Sequence, residues 1–453
     1  MNVAKEKSSE NGPVMKDYDK KYFIMLIIIL GLAHIMDEYA TLAPGMIQSS
    51  IIDEFFVKIG WMSQTQALQF LNTLAIVAFF IALAAQAYKS LQDRVGRKPI
   101  FIISVFGMMV STLAMVLAPS FWPYYLGSSL LTFFVSNDMQ YMYIQEEAPA
   151  RKRVQFFSYA KLIGLAGLLI VPLIRSFTMV EGNENWRPVL YLPIVIGVVV
   201  LILSFFFLKE TRAFLISKQE KAAQKGVVEE KSKGLSLRAA LKSLRAIPTW
   251  PQIKWLIVMG LLSAPFLALN QAYSEIFMDQ AGVLLADRNL VLVVSTVSVG
   301  VAYFLNGIIA DRSGRKPAYI VNLIVIAAGL VIEYFAMWAA PESSAKTLLL
   351  VIAGIAQGLR IGAFWNQGDL RGMMLIENTP THLRGHMQTI SGIPIILAAI
   401  PFTLLNSVLI GLFPGNVQFV LLIVGIPVSI LMLIFAFTKL KETVNANILE
   451  IEG

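Results

Sequence analysis

The chain is 453 residues long, with 57% hydrophobic and 15% charged residues and a mean hydropathy of +0.67, a balance outside the range of water-soluble domains. Lipid must be its solvent, so the net charge of +8 reads as a topology signal and a contact for anionic lipid rather than as nucleic-acid binding. With no cysteine, disulfides, thiolate metal sites and thiol catalysis are excluded.

In chain order, the polar segment 1–21 is expected to be a cytoplasmic tail that carries no cleavable signal. Apolar blocks of about 20 residues, the length a helix needs to cross the hydrocarbon, follow at 22–44, 67–89, 100–118, 121–145, 155–177 and 188–208. A charged linker at 209–252 contains the amphipathic stretches Arg212–Gln224 and Ser236–Ile247, expected as short surface helices. Six further blocks lie at 253–279, 289–309, 318–339, 347–376, 388–412 and 416–438, and 439–453 forms a second tail. The blocks do not alternate as strands do, which excludes a membrane β-barrel. The expected fold class is an all-α membrane protein of twelve transmembrane helices in two six-helix bundles, 22–208 and 253–438.

An even number of spans places both termini on one side. About 30 of the 37 Lys and Arg share that side, against about five on the other, which makes it the cytoplasmic one. The expected location is the plasma membrane, or the inner membrane of a bacterium.

The two bundles carry matching motifs. Asp93-Arg94-Val95-Gly96-Arg97-Lys98-Pro99 returns as Asp311-Arg312-Ser313-Gly314-Arg315-Lys316-Pro317. Asp138, Met142, Glu146, Pro149 and Arg153 recur at identical offsets as Asp369, Met373, Glu377, Pro380 and Arg384. Leu208-Lys209-Glu210-Thr211 and Leu440-Lys441-Glu442-Thr443 close the two halves. Three matches in register describe a duplicated unit, and parallel repeats with a site at their interface are the design of alternating-access carriers.

The two D-R-x-G-R-K-P loops resemble the signature loop of the major facilitator superfamily. Glu146–Arg153, Glu377–Arg384, Trp186-Arg187, Lys209–Arg212 and Lys441–Thr443 resemble its sugar-porter and organic-ion branch. Gly31–Tyr39 is similar to the first helix of proton-coupled sugar porters, in which an acid at the Asp37 position takes part in coupling. Other positions depart from that pattern. No arginine stands between Arg97 and Arg151 to pair with Asp37, and Ala264-Pro265 occupy the place of the paired sugar-binding glutamines. Asn270 matches the neighbouring sugar-binding asparagine, and Lys161 takes the place of a sugar-binding glutamine in helix five.

An ionisable side chain at mid-bilayer costs at least about 2.5 kcal/mol, so each should face a partner or a wet cavity. Asp37, Glu38 and Asp138 are the candidate proton-coupling acids, with His34 one turn before the first pair. Lys161 and Arg360, from opposite halves, together suit a carboxylate or phosphate. Asn270, Gln271, Tyr273, Trp365 and Asn366 are candidates to orient a small solute. The alternative reading has Asp138 neutralising Lys161 and Asp369 neutralising Arg371, which leaves Arg360 alone for the solute. Asp93, Arg97 and Glu146, with Asp311, Arg315 and Glu377, form a candidate cytoplasmic gate. By the resemblance, this gate holds the inner side closed and breaks for release inward.

No Walker loop, H-E-x-x-H or G-x-S-x-G is present, and His34, His382 and His386 are scattered. The expected function is therefore secondary transport without enzyme activity, cofactor or metal, with a small solute, protons and lipid as partners and a monomer as the working unit. Proton-coupled symport of a small polar solute is expected, an organic anion in preference to a sugar. The alternatives are proton antiport exporting organic cations or drugs, and sugar uniport or symport.

Overall fold

The computed structural model describes residues 20–135, 139–147, 153–180, 182, 184–212, 214–216, 237–269, 274–380 and 383–443. Of Asp93 and Lys161 it describes the backbone only. The helices of the first half are α1 (Lys20–Met46), α2 (Gln48–Ile52), α3 (Gln64–Ser90), α4 (Gln92–Val95), α5 (Arg97–Val116), α6 (Phe121–Val135), α7 (Met139–Glu147), α8 (Arg153–Thr178) and α9 (Tyr191–Phe207). Then come α10 (Leu237–Ala246) in the linker, α11 (Trp250–Leu269), α12 (Ser274–Gln280), α13 (Leu285–Arg312), α14 (Arg315–Ala339), α15 (Lys346–Glu377), α16 (Arg384–Leu412) and α17 (Val417–Lys439).

Lipid offers no hydrogen bonds, so each spanning segment satisfies its backbone internally as a helix. Nine helices among the described residues are long and apolar enough to cross a bilayer. The other three expected spans are carried by α8, by α6 with α7, and by α11 with α12; the last two pairs flank residues 136–138 and 270–273, outside the described set. Outward faces carry side chains that only lipid can cover, such as Leu126, Phe177, Phe205, Phe206 and Phe335. The expected surface helix at Ser236–Ile247 is α10, whose Ala240 and Leu244 are buried against the bundle. Of Arg212–Gln224, residues 213 and 217–224 lie outside the described set.

The halves pack by the same scheme. In the first, α1 lies along α8, and α5 along α6 and α9; in the second, α11 lies along α16, and α14 along α15 and α17. Between halves, α3 meets α16 and α8 meets α13. Small residues set the closest crossings. Gly354, Gly358 and Gly362 form a stripe on α15, each facing a backbone carbonyl of α13, and a Cβ at Gly358 would overlap the Ser295 carbonyl.

The repeated motifs also have a local explanation. Gly96 (φ 117°) and Gly314 (φ 104°) turn the chain into α5 and α14 in a conformation that disfavours any side chain. The same glycines leave room for a carboxylate: a Cβ on either would collide with Glu210 or Glu442. Glu210 accepts from the Arg97 and Lys98 amides at 2.8 and 3.2 Å, and Glu442 from those of Arg315 and Lys316 at 2.9 and 3.1 Å. Each acid thereby satisfies orphan donors at a helix N-terminus and meets its positive dipole end. Lys98 and Lys316 reach in turn to the carbonyls of Phe205 and Phe437 at the C-terminal ends of α9 and α17. This explains why K-E-T closes each half.

Candidate solute-binding cleft

Between the halves lies a cavity of about 680 Å³, a size suited to a small organic molecule. His34, Glu38, Leu165 and Leu168 line it from the first half, and Tyr303, Phe304, Asp311, Trp365, Asp369 and Arg371 are among its walls in the second. It runs from mid-helix α1 to Asp311 in the signature loop, on the face that carries Arg94, Arg97, Arg312 and Arg315. That end is called the basic face below.

At its inner end the cavity meets an apolar plug. Leu168 of α8 packs on Val299 of α13 and Ile361 of α15, with Leu42, Leu165, Tyr303 and Trp365 around them. Beyond the plug the halves are latched by polar contacts. Arg175 of α8 pairs with Glu275 of α12 at 2.5 Å, both fully buried, and donates a second bond to Asn289 of α13. The Ser49 amide donates to the other Glu275 oxygen at 2.8 Å. Gln64 binds Asp279, and Asn72 of α3 binds the Thr403 carbonyl and the Ser407 hydroxyl of α16 at 2.6 and 2.8 Å. The structure is thus closed at this far end, with its cavity reaching the basic face.

The intramembrane charges sort into three groups. On α1, residues three and four apart share a face. The buried His34 therefore has Asp37 3.9 Å from Nδ1 and Glu38 3.7 Å from Nε2. Glu38 lines the cavity whereas Asp37 is buried behind it. Gly164 makes this fit possible, because a Cβ there would overlap the imidazole. An imidazole with a carboxylate near each nitrogen can hold a proton on any of three groups at little cost in distance.

The second group is internal to the second half. Arg360, expected at the solute site, donates from Nε to Glu333 of α14 at 2.7 Å, with both side chains fully buried and Gln357 on the other Glu333 oxygen at 3.1 Å. It does not line the cavity. The expectation of a guanidinium reaching across the cleft is corrected by this placement: an α14 carboxylate at hydrogen-bond distance holds the group away from the cleft. Asn366 likewise turns away, donating to the Ala302 carbonyl at 3.1 Å and pinning α15 to α13. Trp365 does face the cavity, 6.2 Å from the Tyr303 ring centroid. Asp138, Asn270, Gln271 and Tyr273, and the side chains of Lys161 and Asp93, lie outside the described residues.

The third group is at the basic face. Arg97 grips Glu146 through Nε and Nη2 at 3.0 and 2.9 Å and gives Nη1 to the Gln92 carbonyl; Arg315 lies 3.5 Å from Glu377 and 3.4 Å from Asp311. Thr211 and Thr443 donate to the same two glutamates. Each of these contacts lies inside one half. They anchor the signature loops rather than bridge the cleft in this state.

Sequence reasoning passed over Arg175, Glu275 and Glu333, although each is an ionisable residue inside an apolar block. It noted Arg371 among the intramembrane charges, with Asp369 as its possible partner, and did not assign it to the solute. The cost of burying a charge was the available signal for all four.

Comparison with known proteins agrees with this architecture. A family model described as "Sugar (and other) transporter" matches residues 24–246 and 258–449. The glucose transporter GlcP of Staphylococcus epidermidis is 24% identical over 384 residues, 80% of this chain and 83% of the relative. The multidrug resistance protein MdtG of Salmonella paratyphi C is 29% identical over 150 residues, 32% of this chain and 36% of the relative. A crystal structure of a D-xylose-proton symporter superposes with a TM-score of 0.70 at 17% identity, covering 93% of this chain and 99% of that one. Helical halves that pack alike, a cleft between them and a family model covering both halves lead to one conclusion: the chain belongs to the family of sugar and other transporters, with the major facilitator fold.

Proposed function

We propose that this membrane transporter is a proton-coupled symporter that carries a small polar organic solute, an organic anion in preference to a sugar, by alternating access. The observation that carries the reading is the His34–Asp37–Glu38 cluster, with Glu38 on the cavity wall. A proton taken up there while the cleft faces outward neutralises a carboxylate that is otherwise costly to bury as the halves close. When the cleft opens to the basic face, taken as the cytoplasmic side, water returns and the proton leaves. The pairs Arg97–Glu146 and Arg315–Glu377 hold their loops ready to close that face in the opposite state.

A sugar is disfavoured because Ala264-Pro265 replace the glutamine pair of sugar porters. Antiport of an organic cation is the second reading, motivated by the partial match to a multidrug resistance protein and by Glu38, Asp311 and Asp369 on the cavity wall.

Proteoliposomes with an acidic exterior separate these readings. Symport predicts accumulation of solute, and antiport its expulsion. Glu38→Gln or Asp37→Asn is expected to reduce gradient-driven accumulation by roughly a hundredfold, the scale of losing a positioned proton carrier, while leaving solute exchange at equal pH largely intact. Accumulation that ignores both the gradient and the two substitutions rules out proton coupling here.

A further inference from the structure

Arg371 is a charged group of the cleft that the coupling mechanism does not use. It stands on α15 in the cavity wall, and among the described residues no carboxylate lies within ion-pair distance of it. Its Nε and Nη1 are shielded from solvent and have no hydrogen-bond partner. A guanidinium with buried, unsatisfied donors is expensive to maintain and strongly favours any planar oxyanion that reaches it. Asp369 precedes it by two positions, a spacing at which side chains on a helix do not face each other.

The surroundings keep the guanidinium in place. Gly260 of α11 supplies the space: a Cβ there would overlap Nη1 of Arg371 and the Cδ1 of Ile395. Three helices of the second half, α11, α15 and α16, therefore meet at this group.

The remaining wall is of a different kind. Trp365, Tyr303, Phe304, Phe364, Leu165 and Leu168 present aromatic and aliphatic surface. Among the described residues the neutral polar groups of the wall are few, and one of them, Gln367, already donates to the Tyr319 hydroxyl at 2.7 Å. A sugar with a hydroxyl on nearly every carbon would leave most of them unpaired against such a wall, at a cost for each one.

We propose that Arg371 is the anion-holding group of the cleft and that the solute is a monocarboxylic acid with an apolar, aromatic or aliphatic body. This deepens the symport reading and rests on it for the direction of transport. The carboxylate pairs with the guanidinium, and the body lies on the face of Trp365 and Tyr303. Glu38 and Asp369 share the cavity, so the bound anion is disfavoured while they are charged, which ties its binding to protonation of the wall.

Equilibrium binding to the purified full chain, with no pH gradient, tests the subsite apart from the coupling. The probes are benzoate, phenylacetate and hexanoate, with benzamide as the neutral isostere of benzoate and glucose as the competing class. The unmodified chain should bind the acids and should bind benzamide at least about tenfold more weakly, the ~1.4 kcal/mol of one charge-assisted bond. Arg371→Gln should erase that discrimination, and Arg371→Lys should keep part of it. Failure of all three acids to bind, or equal affinity of the unmodified chain for benzoate and benzamide, overturns the proposal even if Arg371→Gln does not fold. Undiminished benzoate binding by a folded Arg371→Gln chain does so as well. If the acids bind through Arg371 but a pH gradient drives no accumulation, the subsite stands and the proton-coupled reading falls.

Discussion

Glu275→Gln is expected to open the far end of the transporter. The Arg175–Glu275 pair joins α8 to α12 across the two halves and is fully buried. Removing one partner of such a pair leaves an uncompensated charge, at a cost of about 3–5 kcal/mol. Arg175 escapes that cost only if the halves part and water reaches it. The far-open population should therefore rise by at least about tenfold, the change that ~1.4 kcal/mol produces.

A chain without cysteine makes this measurable. Thr296 is buried beneath the latch in a small pocket with Leu42, Gly45 and Ser274. A Thr296→Cys probe should react slowly with a membrane-impermeant maleimide in the parent and at least about tenfold faster with Glu275→Gln. The double change Arg175→Leu with Glu275→Leu should return the rate towards that of the parent, because an apolar pair of similar volume closes without stranding a charge. A probe that reacts no faster in Glu275→Gln removes the latch from the account.

Glu333→Ala is expected to be the most destabilising single change in the second half. It strands the Arg360 guanidinium between α14 and α15, which holds Glu333 at 2.7 Å, and orphans the Gln357 amide as well. A loss of about 3–5 kcal/mol should lower the thermal midpoint of the purified protein. Arg360→Met with Glu333→Leu should recover much of it, since both groups sit in a closed apolar interior. If Arg360 instead served the solute, Glu333→Ala would leave stability near that of the parent and lower solute affinity.

The fold was legible because its determinants are local. Span length and the duplicated D-R-x-G-R-K-P and E-x-x-P runs are read along the chain, and the helices follow them closely. The glycine of each signature loop and the K-E-T after each half were visible as a repeat. Their joint purpose, an acid capping the first turn of α5 and α14, needed the approach of Glu210 to Gly96 and of Glu442 to Gly314 in space.

The site was less legible, because hydropathy reports depth in the membrane but not the direction in which a side chain points. Arg360 and Arg371 lie eleven positions apart on one helix, about three turns, yet one is buried against Glu333 and the other lines the cleft. Glu333 sits 27 positions before Arg360 on another helix, and no spacing rule predicts that meeting. Arg175 and Glu275 were hidden for a related reason. They occupy the far ends of their two blocks, and their significance lies in the contact between halves. His34, Asp37 and Glu38 were readable because the spacing of three and four within α1 fixes their shared face.

Alternating access requires that the two halves rock about the cleft, so that one end closes as the other opens. Double electron-electron resonance on two labelled pairs tests it most directly: Lys58→Cys with Glu342→Cys at the far end, and Val95→Cys with Ser313→Cys at the basic face, all exposed positions. Lowering the pH in the presence of benzoate should lengthen the far-end distance and shorten the basic-face distance in the same molecules. Distances that stay fixed, or that change in the same direction at both ends, would contradict it.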